Sequence, residues 1–335
     1  MRAWEVQGEW GLDHLAMVER EKPVAAAGQV VVRMRAAAIN YRDLLTVQGM
    51  GGTRRLPLVP FSDGAGEVIA VGEGVTRARI GDKVCPMFFQ SWKDGPPDAA
   101  KRARPLGGPL PGVLQDEMAL DADYVSAIPR GWSFEEAATL PCAGLTAWRA
   151  LMVEGELQAG HTVLVQGTGG VSIFALQFAK MQGARVIVTS SSDEKLARAK
   201  TLGADETINY KSNPEWAKAA LDLTGGAGVD HVVEVGGAGT LNQSLEAAKV
   251  GGRILVIGVL SGFSQQIAMP TLFGKNLRMI GLSVGSREMF EQMVAAIDKA
   301  GMKPVVDRTF PFDQVPQALA LMKGASHFGK ICIAY

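Results

Sequence analysis

Apolar and polar positions alternate along this chain with two periodicities, one typical of strands and one typical of helices. Residues 162–166 form a short apolar, β-branched run, which is typical of a strand buried in a parallel sheet. A glycine-rich stretch follows at 167–172, and residues 173–181 carry apolar side chains at helical spacing. Residues 185–189 return to the strand pattern. This order of strand, glycine turn, helix and strand predicts a βαβ unit.

The same alternation continues along the chain. The predicted strands lie at 207–209, 229–235, 253–258 and 277–282, with helices opening at Pro214 and after the glycine turn at 236–239. Six such segments predict an α/β fold class with a doubly wound parallel sheet.

The two ends of the chain carry a different, mostly β pattern. The predicted elements are a strand at 29–39, a short helix with Asn40 as its N-cap, strands at 63–72 and after the turn at 81–84, helices at 288–300 and 314–323, and strands at 307–312 and 330–334. A helical segment at 133–148 opens with a Ser133–Glu136 capping box and is broken at Pro141. We therefore predict one domain from residues 1–126 and 287–335, and a second from residues 127–286.

Residues 86–112 show neither the helical nor the strand periodicity. Six prolines in this segment exclude a long helix or a central strand. Phe88, Phe89 and Trp92 lie in this segment. Two interpretations stand equally: a loop held down by its aromatic side chains, or the wall of a pocket.

Composition limits the function classes. The chain has 335 residues, of which 47% are hydrophobic and 20% charged, as in a globular protein of two domains. A formal net charge of zero argues against nucleic acid or an anionic membrane as partner. Three widely spaced cysteines form no disulfide framework or metal knuckle. We find no signal peptide and no apolar stretch of membrane-spanning length, so we expect a reducing cytoplasm.

The glycine turn predicts a dinucleotide site. Its residues are Gly167, Thr168, Gly169, Gly170 and Val171. Glycines allow a tight turn and close approach of the backbone to a pyrophosphate, whose charge then lies at a helix N-terminus. Ser172 stands where the common fingerprint has its last glycine, and a small residue is acceptable there because helix and strand pack closely.

The end of the second strand of this unit bears on the cofactor. Ser190, followed by Ser191, stands where NAD-binding folds place an acid for the ribose. Lys195 adds a charge that could pair with a 2′-phosphate. Asp193 and Glu194 are interpreted as first-turn acids of the next helix, with Ser192 as its N-cap. This pattern predicts NADPH over NADH.

Several short motifs occur along the chain in the order in which a known protein family carries them. They are Asn40-Tyr41-Arg42-Asp43, residues 64–68 through 81–84, Leu145-Thr146-Ala147-Trp148, residues 167–172 and Gly329-Lys330. Together they resemble the medium-chain dehydrogenase/reductase superfamily, and within it the zinc-independent quinone oxidoreductase-like branch. The resemblance implies a Rossmann domain, a mostly β GroES-like catalytic domain, and a homodimer joined through residues 254–280.

The zinc alcohol dehydrogenases of that superfamily hold zinc with a Cys, a His-Glu pair and a second Cys. Asn40 stands at the first position, Ser62-Asp63 at the pair, and only Cys142 matches. One thiol cannot hold a catalytic zinc, which needs three protein ligands. The four histidines, His14, His161, His231 and His327, are interpreted as scattered surface or packing residues. The sequence therefore predicts no metal.

Without a Lewis acid, hydride transfer must build a charge that hydrogen bonds alone can stabilise. Conjugate reduction delocalises that charge into an enolate or a hydroquinone anion, whereas a simple ketone concentrates it on one oxygen. The expected function is therefore NADPH-dependent reduction of a quinone or an α,β-unsaturated carbonyl compound, a small-molecule substrate.

The resemblance also implies roles for particular residues. Asn40, Asp43 and Thr146 match positions near the nicotinamide or substrate, and Tyr41 is a candidate proton donor. Helix capping is an equal alternative for Asn40 and Asp43. Lys195 and Tyr210 match a 2′-phosphate pair. Looser cofactor contacts are implied for Gly236, Gly258, Ser283, Gly285 and Lys330, although each of the glycines is equally explained as a turn residue.

Two further functions stay open. An alcohol dehydrogenase or an enoyl-thioester reductase has the same fold, and Arg54 and Arg55 could attract an acidic ester of coenzyme A or belong to a solvated loop. A non-catalytic NADPH-binding protein would need the same fingerprint.

Overall fold

The computed structural model describes residues 1–50 and 55–335. The strands are β1 Arg2–Val6, β2 Leu15–Glu19, β3 Gln29–Ile39, β4 Asp63–Val71, β5 Lys83–Pro86, β6 Glu117–Asp121, β7 Val125–Ala127, β8 Thr162–Gln166, β9 Arg185–Ser190, β10 Glu206–Asn209, β11 Val229–Glu234, β12 Ala248–Val256, β13 Arg278–Gly281, β14 Val306–Pro311 and β15 Lys330–Ala334. The α-helices are α1 Tyr41–Val47, α2 Phe134–Ala138, α3 Leu145–Trp148, α4 Gly170–Met181, α5 Asp193–Thr201, α6 Trp216–Leu223, α7 Leu241–Ala247, α8 Met269–Gly274, α9 Arg287–Ala300 and α10 Val315–Lys323.

These elements form two compact units. The first unit comprises Met1–Leu145 and Val284–Tyr335, and the second unit comprises Thr146–Ser283. Our sequence-based boundaries lay at 126/127 and 286/287. The first unit extends further because α2 packs against β3 and β4.

The second unit, which lies wholly within the described residues, is built on a parallel sheet in the order β10-β9-β8-β11-β12-β13. This confirms the predicted doubly wound α/β fold. Its central strands are buried on both faces, as their apolar, β-branched runs require. The strand order reverses between β8 and β11, and in such sheets the crevice at the carboxyl ends of the two strands is the usual ligand site.

The first unit has a mainly antiparallel sheet in the order β14-β15-β3-β4-β5-β7, with β6 also pairing with β3. β1 and β2 form a separate antiparallel pair. The C-terminal strand β15 runs antiparallel to the end of β3, with Ile331 opposite Ile39. This pairing brings Lys330, at the start of β15, to the junction of β3 and α1. A cluster of buried polar residues lies there.

Element prediction succeeded best where the local pattern was strong. β3, β8 and β15 have the predicted bounds. β12 begins at Ala248 rather than Arg253, because Ala248 pairs with Val229 although the glycine pair at 251–252 has low strand propensity.

The proline-rich segment after β5 is a loop held by its aromatic side chains. Phe88, Phe89 and Trp92 are buried, and their rings contact one another in sequence. An isolated bridge joins Phe89 to Pro105. The structure thus supports the first of the two interpretations of this segment.

Throughout the part of the chain that the structure describes, every helix is too short or too polar to cross a membrane.

Candidate active site

The predicted site residues divide between the two units. The first unit contains Asn40, Tyr41, Asp43, Gly285 and Lys330, and the second unit contains the predicted contacts from Thr146 to Ser283.

The glycine turn of the second unit has the shape that a phosphate site needs. Gly167 has a φ of +70°, in the left-handed region that glycine adopts without strain. Among the described residues, and apart from its two chain neighbours, no atom lies within 4 Å of the position that a Cβ on Gly169 would take. The N-cap residue of α4 is Gly169, and no side-chain cap bond to this N-terminus occurs in the described part of the chain. An open, uncapped helix N-terminus of this kind favours an anion.

Ser172 has a structural role that the fingerprint alone did not reveal. Its hydroxyl donates to the carbonyl oxygen of Gln166 at 2.7 Å. This bond ties the first turn of α4 to the last residue of β8. Serine therefore satisfies a buried carbonyl at a position where the common fingerprint carries glycine.

The end of β9 is arranged as predicted for the helix that follows it. The Ser192 side chain accepts from the backbone N–H of Lys195, and Asp193 and Glu194 occupy the first turn of α5. Asn209 Nδ2 donates to Asp193 Oδ1 at 2.7 Å. These contacts confirm the N-cap interpretation and give the Asp193 carboxylate a hydrogen-bond partner within the chain.

Ser190 and Tyr210 lie together at this strand end. Ser190 is buried, and its carbonyl oxygen accepts from the backbone N–H of Tyr210 at 3.1 Å. The Tyr210 side chain is exposed, and Ser191 and Lys195 are half-buried. Four of the residues predicted around a 2′-phosphate thus occur at one edge of the second unit.

Most of the looser predicted contacts fit packing requirements. A Cβ on Gly258 would lie 2.2 Å from the carbonyl oxygen of Val235, and one on Gly236 would lie 2.3 Å from Thr240 Oγ1. Both positions therefore need glycine whatever they bind. The carbonyl oxygen of Ser283 accepts from Arg149 Nη1 at 3.3 Å, and Thr146 is buried. In the first unit, a Cβ on Gly285 would lie 3.1 Å from the Leu145 side chain.

The first unit contains a cluster of polar residues, which we call the buried polar cluster. It comprises Asn40, Asp43, Ser62, Asp63 and Lys330, which are buried, and Cys142, which is half-buried. Its members come from the ends of β3, β4 and β15 and from the neighbouring helical segments. Lys330 Nζ donates to the carbonyl oxygen of Ile39 at 2.7 Å and to Asn40 Oδ1 at 2.6 Å. The Lys330 side chain predicted to contact the cofactor is therefore already engaged within its own unit.

Lys330 fixes the orientation of the Asn40 amide. An ammonium can only donate, so the amide atom facing it must be the oxygen. The nitrogen, Asn40 Nδ2, is then a donor and is buried. The Asn40 side chain interacts with the Asp63 carboxyl and lowers its pKa, but Nδ2 forms no hydrogen bond of full geometry among the described residues. A buried unpaired donor carries a free-energy cost, and a ligand oxygen could remove that cost.

Two carboxyl groups lie in the same cluster. Asp43 Oδ2 accepts from the backbone N–H of Asn40 at 2.8 Å, so the capping alternative holds for this pair. Burial raises the pKa of Asp43 to about 6, against the lowering effect of Arg42. Burial also raises the pKa of Asp63, and the charge of Lys330 opposes that rise. Asp63 accepts from Ser62 Oγ at 2.8 Å and from the Cys142 N–H at 2.9 Å.

The side chains of the buried polar cluster do not fit the ligand set of a catalytic zinc. Cys142 contributes the cluster's single sulfur, and burial together with Asp63 raises its thiol pKa, which disfavours the thiolate that binds metal. The Asn40 oxygen is occupied by an ammonium, and Asp63 accepts two hydrogen bonds from the chain. No group of three His, Cys, Asp or Glu side chains suited to a metal occurs among residues 1–50 and 55–335.

Two residues beside the cluster have different surroundings. The Tyr41 side chain is 38% exposed, so its phenol can reach solvent. Arg42 donates to the carbonyl oxygen of Leu106 at 2.9 Å and lies over the Phe88 ring. Arg55 is exposed, while Arg54 lies outside the described residues.

The structure brings together two of the four histidines that are scattered along the sequence. His161 Nδ1 lies 3.0 Å from His231 Nε2, although the residues are 70 positions apart. His161 immediately precedes β8 and His231 lies near the start of β11, and these strands are parallel neighbours. The strand order of a doubly wound sheet, applied to the sequence, would have revealed the pair.

Two family models match the chain. The alcohol dehydrogenase GroES-like domain matches residues 26–130, and the zinc-binding dehydrogenase model matches residues 170–299. The second match contains none of positions 40, 62, 63 and 142, where the zinc alcohol dehydrogenases have their ligands.

Related proteins match over nearly the whole chain. A zinc-type alcohol dehydrogenase-like protein of Schizosaccharomyces pombe is 44% identical over 96% of each chain. An acryloyl-coenzyme A reductase of Metallosphaera sedula is 28% identical over 94% of this chain and 95% of the relative. The crystal structure of an NAD-dependent alcohol dehydrogenase covers 100% of both chains at 33% identity with a TM-score of 0.92.

Proposed function

The chain belongs to the medium-chain dehydrogenase/reductase superfamily of oxidoreductases, and we propose that it reduces quinones or α,β-unsaturated carbonyl compounds without zinc. The proposed cofactor is NADPH. The single observation that carries the proposal is the contact of Lys330 Nζ with Asn40 Oδ1 at 2.6 Å. It puts the chain's own cation, and a fixed amide donor, at a position where the zinc enzymes have a thiolate ligand.

The chemistry follows from that donor. When bound, the nicotinamide supplies the hydride. Asn40 Nδ2 is a neutral, buried donor, and it suits an oxygen whose charge is spread by conjugation better than a localised alkoxide. This donor is itself buried, and a hydrogen bond made away from water is the stronger one. The exposed phenol of Tyr41, or solvent, then supplies the proton.

The glycine turn would hold the pyrophosphate of the cofactor. The left-handed Gly167, the open space over Gly169 and the uncapped start of α4 support this placement. At the end of β9, Ser190 in place of an acid and Lys195 support a 2′-phosphate, hence NADPH. Asn209 donates to the Asp193 carboxylate, so this nearby acid has a partner within the chain.

A second candidate function is reduction of an enoyl thioester or oxidation of an alcohol. The similarity to an acryloyl-coenzyme A reductase favours the first, and the similarity to alcohol dehydrogenases, one of them NAD-dependent by name, favours the second. Arg55 is exposed and could meet an acidic ester.

We also propose a homodimer. β13 is the edge strand of the parallel sheet, and edge strands readily pair with another chain. The stretch of chain from 260 to 279, which ends in this strand, exposes several large apolar side chains: Leu260, Phe263, Met269, Phe273 and Met279. A second copy would cover both the edge and this apolar surface.

An acceptor panel tests the activity. Oxidation of NADPH and of NADH is followed with 1,4-benzoquinone, 2-cyclohexenone, crotonaldehyde and an enoyl ester of coenzyme A, and a plain alcohol is run in reverse. We expect turnover with the enone or quinone and a preference for NADPH. Turnover confined to the thioester or the alcohol would support the second candidate, and tight NADPH binding with no turnover would support a non-catalytic role.

A further inference from the structure

Glu234, the last residue of β11, is a fully buried carboxylate. Its Oε1 accepts from the backbone N–H groups of Gly236 and Gly237 at 2.8 and 2.9 Å and from Thr240 Oγ1 at 2.6 Å. Its Oε2 accepts from Gln166 Nε2 at 2.7 Å and from Ser244 Oγ. All of these donors are neutral. A buried carboxylate surrounded in this way is stabilised by hydrogen bonds rather than by a counter-ion.

The same bonds connect two turns that are distant in sequence. Gln166 is the last residue of β8 and directly precedes the glycine turn at 167–172. Its Oε1 accepts from the backbone N–H of Gly236 at 3.2 Å, and its carbonyl oxygen accepts from Ser172 Oγ at 2.7 Å. A continuous chain of hydrogen bonds therefore runs from the turn after β11, through Glu234 and Gln166, to the first turn of α4.

The geometry points to Glu234 as a positioning residue that couples the two turns and so sets the shape of the dinucleotide site. This inference rests on the proposed function, because it takes the glycine turn as the place of the pyrophosphate. Glycine-rich turns have no large side chains to hold them and are conformationally permissive. Here a single carboxylate supplies the constraint, and bonds to a charged acceptor in a water-free site are the stronger kind.

Glu234→Gln is the first test. The amide keeps the size of the side chain but turns one acceptor into a donor that faces other donors. The matched control is Glu246→Gln, since Glu246 is an exposed glutamate on α7 in the same unit. Hydrogen–deuterium exchange is measured on the cofactor-free proteins, and NADPH affinity is measured by titration calorimetry.

We expect faster amide exchange in both 234–241 and 166–173 for Glu234→Gln, and a Kd for NADPH raised about tenfold or more. At saturating NADPH, kcat should stay near the wild-type value while KM for NADPH rises. Glu246→Gln should change none of these. Faster exchange confined to 234–241, or an unchanged Kd, overturns the inference.

Gln166→Met keeps the test decisive if Glu234→Gln does not fold. It removes the bonds of Gln166 to Glu234, to Ser244 and to the backbone N–H groups of Val235 and Gly236. Glu234 keeps its own bonds to Gly236, Gly237 and Thr240. The Gly236 N–H loses a direct bond in this variant, so the readout is taken at residues 237–240. Faster exchange there, caused by a change on β8, supports coupling, and unchanged exchange contradicts it. A wild-type protein that binds NADPH but reduces no acceptor would contradict the proposed function without contradicting this inference.

Discussion

Asn40 has two roles, one as the N-cap residue of α1 and one as a candidate hydrogen-bond donor in the active site. Its backbone N–H bonds to Asp43 as an N-cap residue does, and its side chain is oriented by Lys330 with the nitrogen left over. The capping and functional interpretations of Asn40 are therefore compatible, because they use different atoms. The sequence suggested both, but only the fold shows that Lys330, 290 positions away, decides the orientation of the amide.

Asn40→Asp tests the role of Nδ2. An aspartate keeps an oxygen for Lys330 but loses the donor. We expect kcat with 2-cyclohexenone to fall about 100-fold, as on removal of one oxyanion donor, with the Kd for NADPH little changed. Asn213→Asp, the same change at an exposed position, is the control. Wild-type kcat in Asn40→Asp would show that Nδ2 has no part in the reaction.

His231 predicts a pH dependence of stability. Burial, together with the neighbouring His161, lowers its pKa from 6.5 to about 4. The folded protein then binds fewer protons than the unfolded chain between these values. Stability should be greatest above pH 6.5 and fall as the pH drops toward 4, by on the order of 2 kcal/mol at pH 5.

The measurement is the change in Tm between pH 7 and pH 5 for the wild type, His231→Gln and His14→Gln. His14 is exposed and serves as the matched control. We expect the acid-induced loss in Tm to shrink in His231→Gln only. An equal loss in all three proteins would assign the effect to other groups.

At the scale of elements, the periodic segments were predictable and the bonds between them were not. The β8–α4–β9 unit followed from apolar spacing and a glycine turn, because both are local properties. The network around Glu234 joins residues of β8, β11 and α7, and no local pattern marks it. The polar cluster was partly visible, since its members stood at family positions, but its hydrogen bonds depend on the pairing of β15 with β3.

The strand end at Ser190 and the start of α5 predict cofactor preference. Lys195→Ala removes the charge proposed for the 2′-phosphate, so KM for NADPH should rise about tenfold or more while KM for NADH stays nearly constant. Lys218→Ala, on the exposed side of α6, is the control. An equal rise in KM for NADPH and for NADH would show that Lys195 supports the structure and does not select the cofactor.

For the whole molecule, the edge strand β13 predicts the oligomeric state. Met279→Lys puts a charge on this edge, at an exposed apolar position. We expect the wild type to have the mass of a dimer by light scattering, and Met279→Lys to shift toward the monomer. Arg77→Lys, in the first unit, should leave the mass unchanged. A monomeric wild type would contradict the proposed assembly.

The central claim, conjugate reduction without zinc, is tested most directly by one measurement. Oxidation of NADPH with 2-cyclohexenone or 1,4-benzoquinone is followed before and after exhaustive dialysis against a chelator, with the zinc content of the same samples determined by mass spectrometry. The account predicts an unchanged rate in protein that carries far less than one zinc per chain. A rate that is lost on dialysis and restored by added zinc would contradict it.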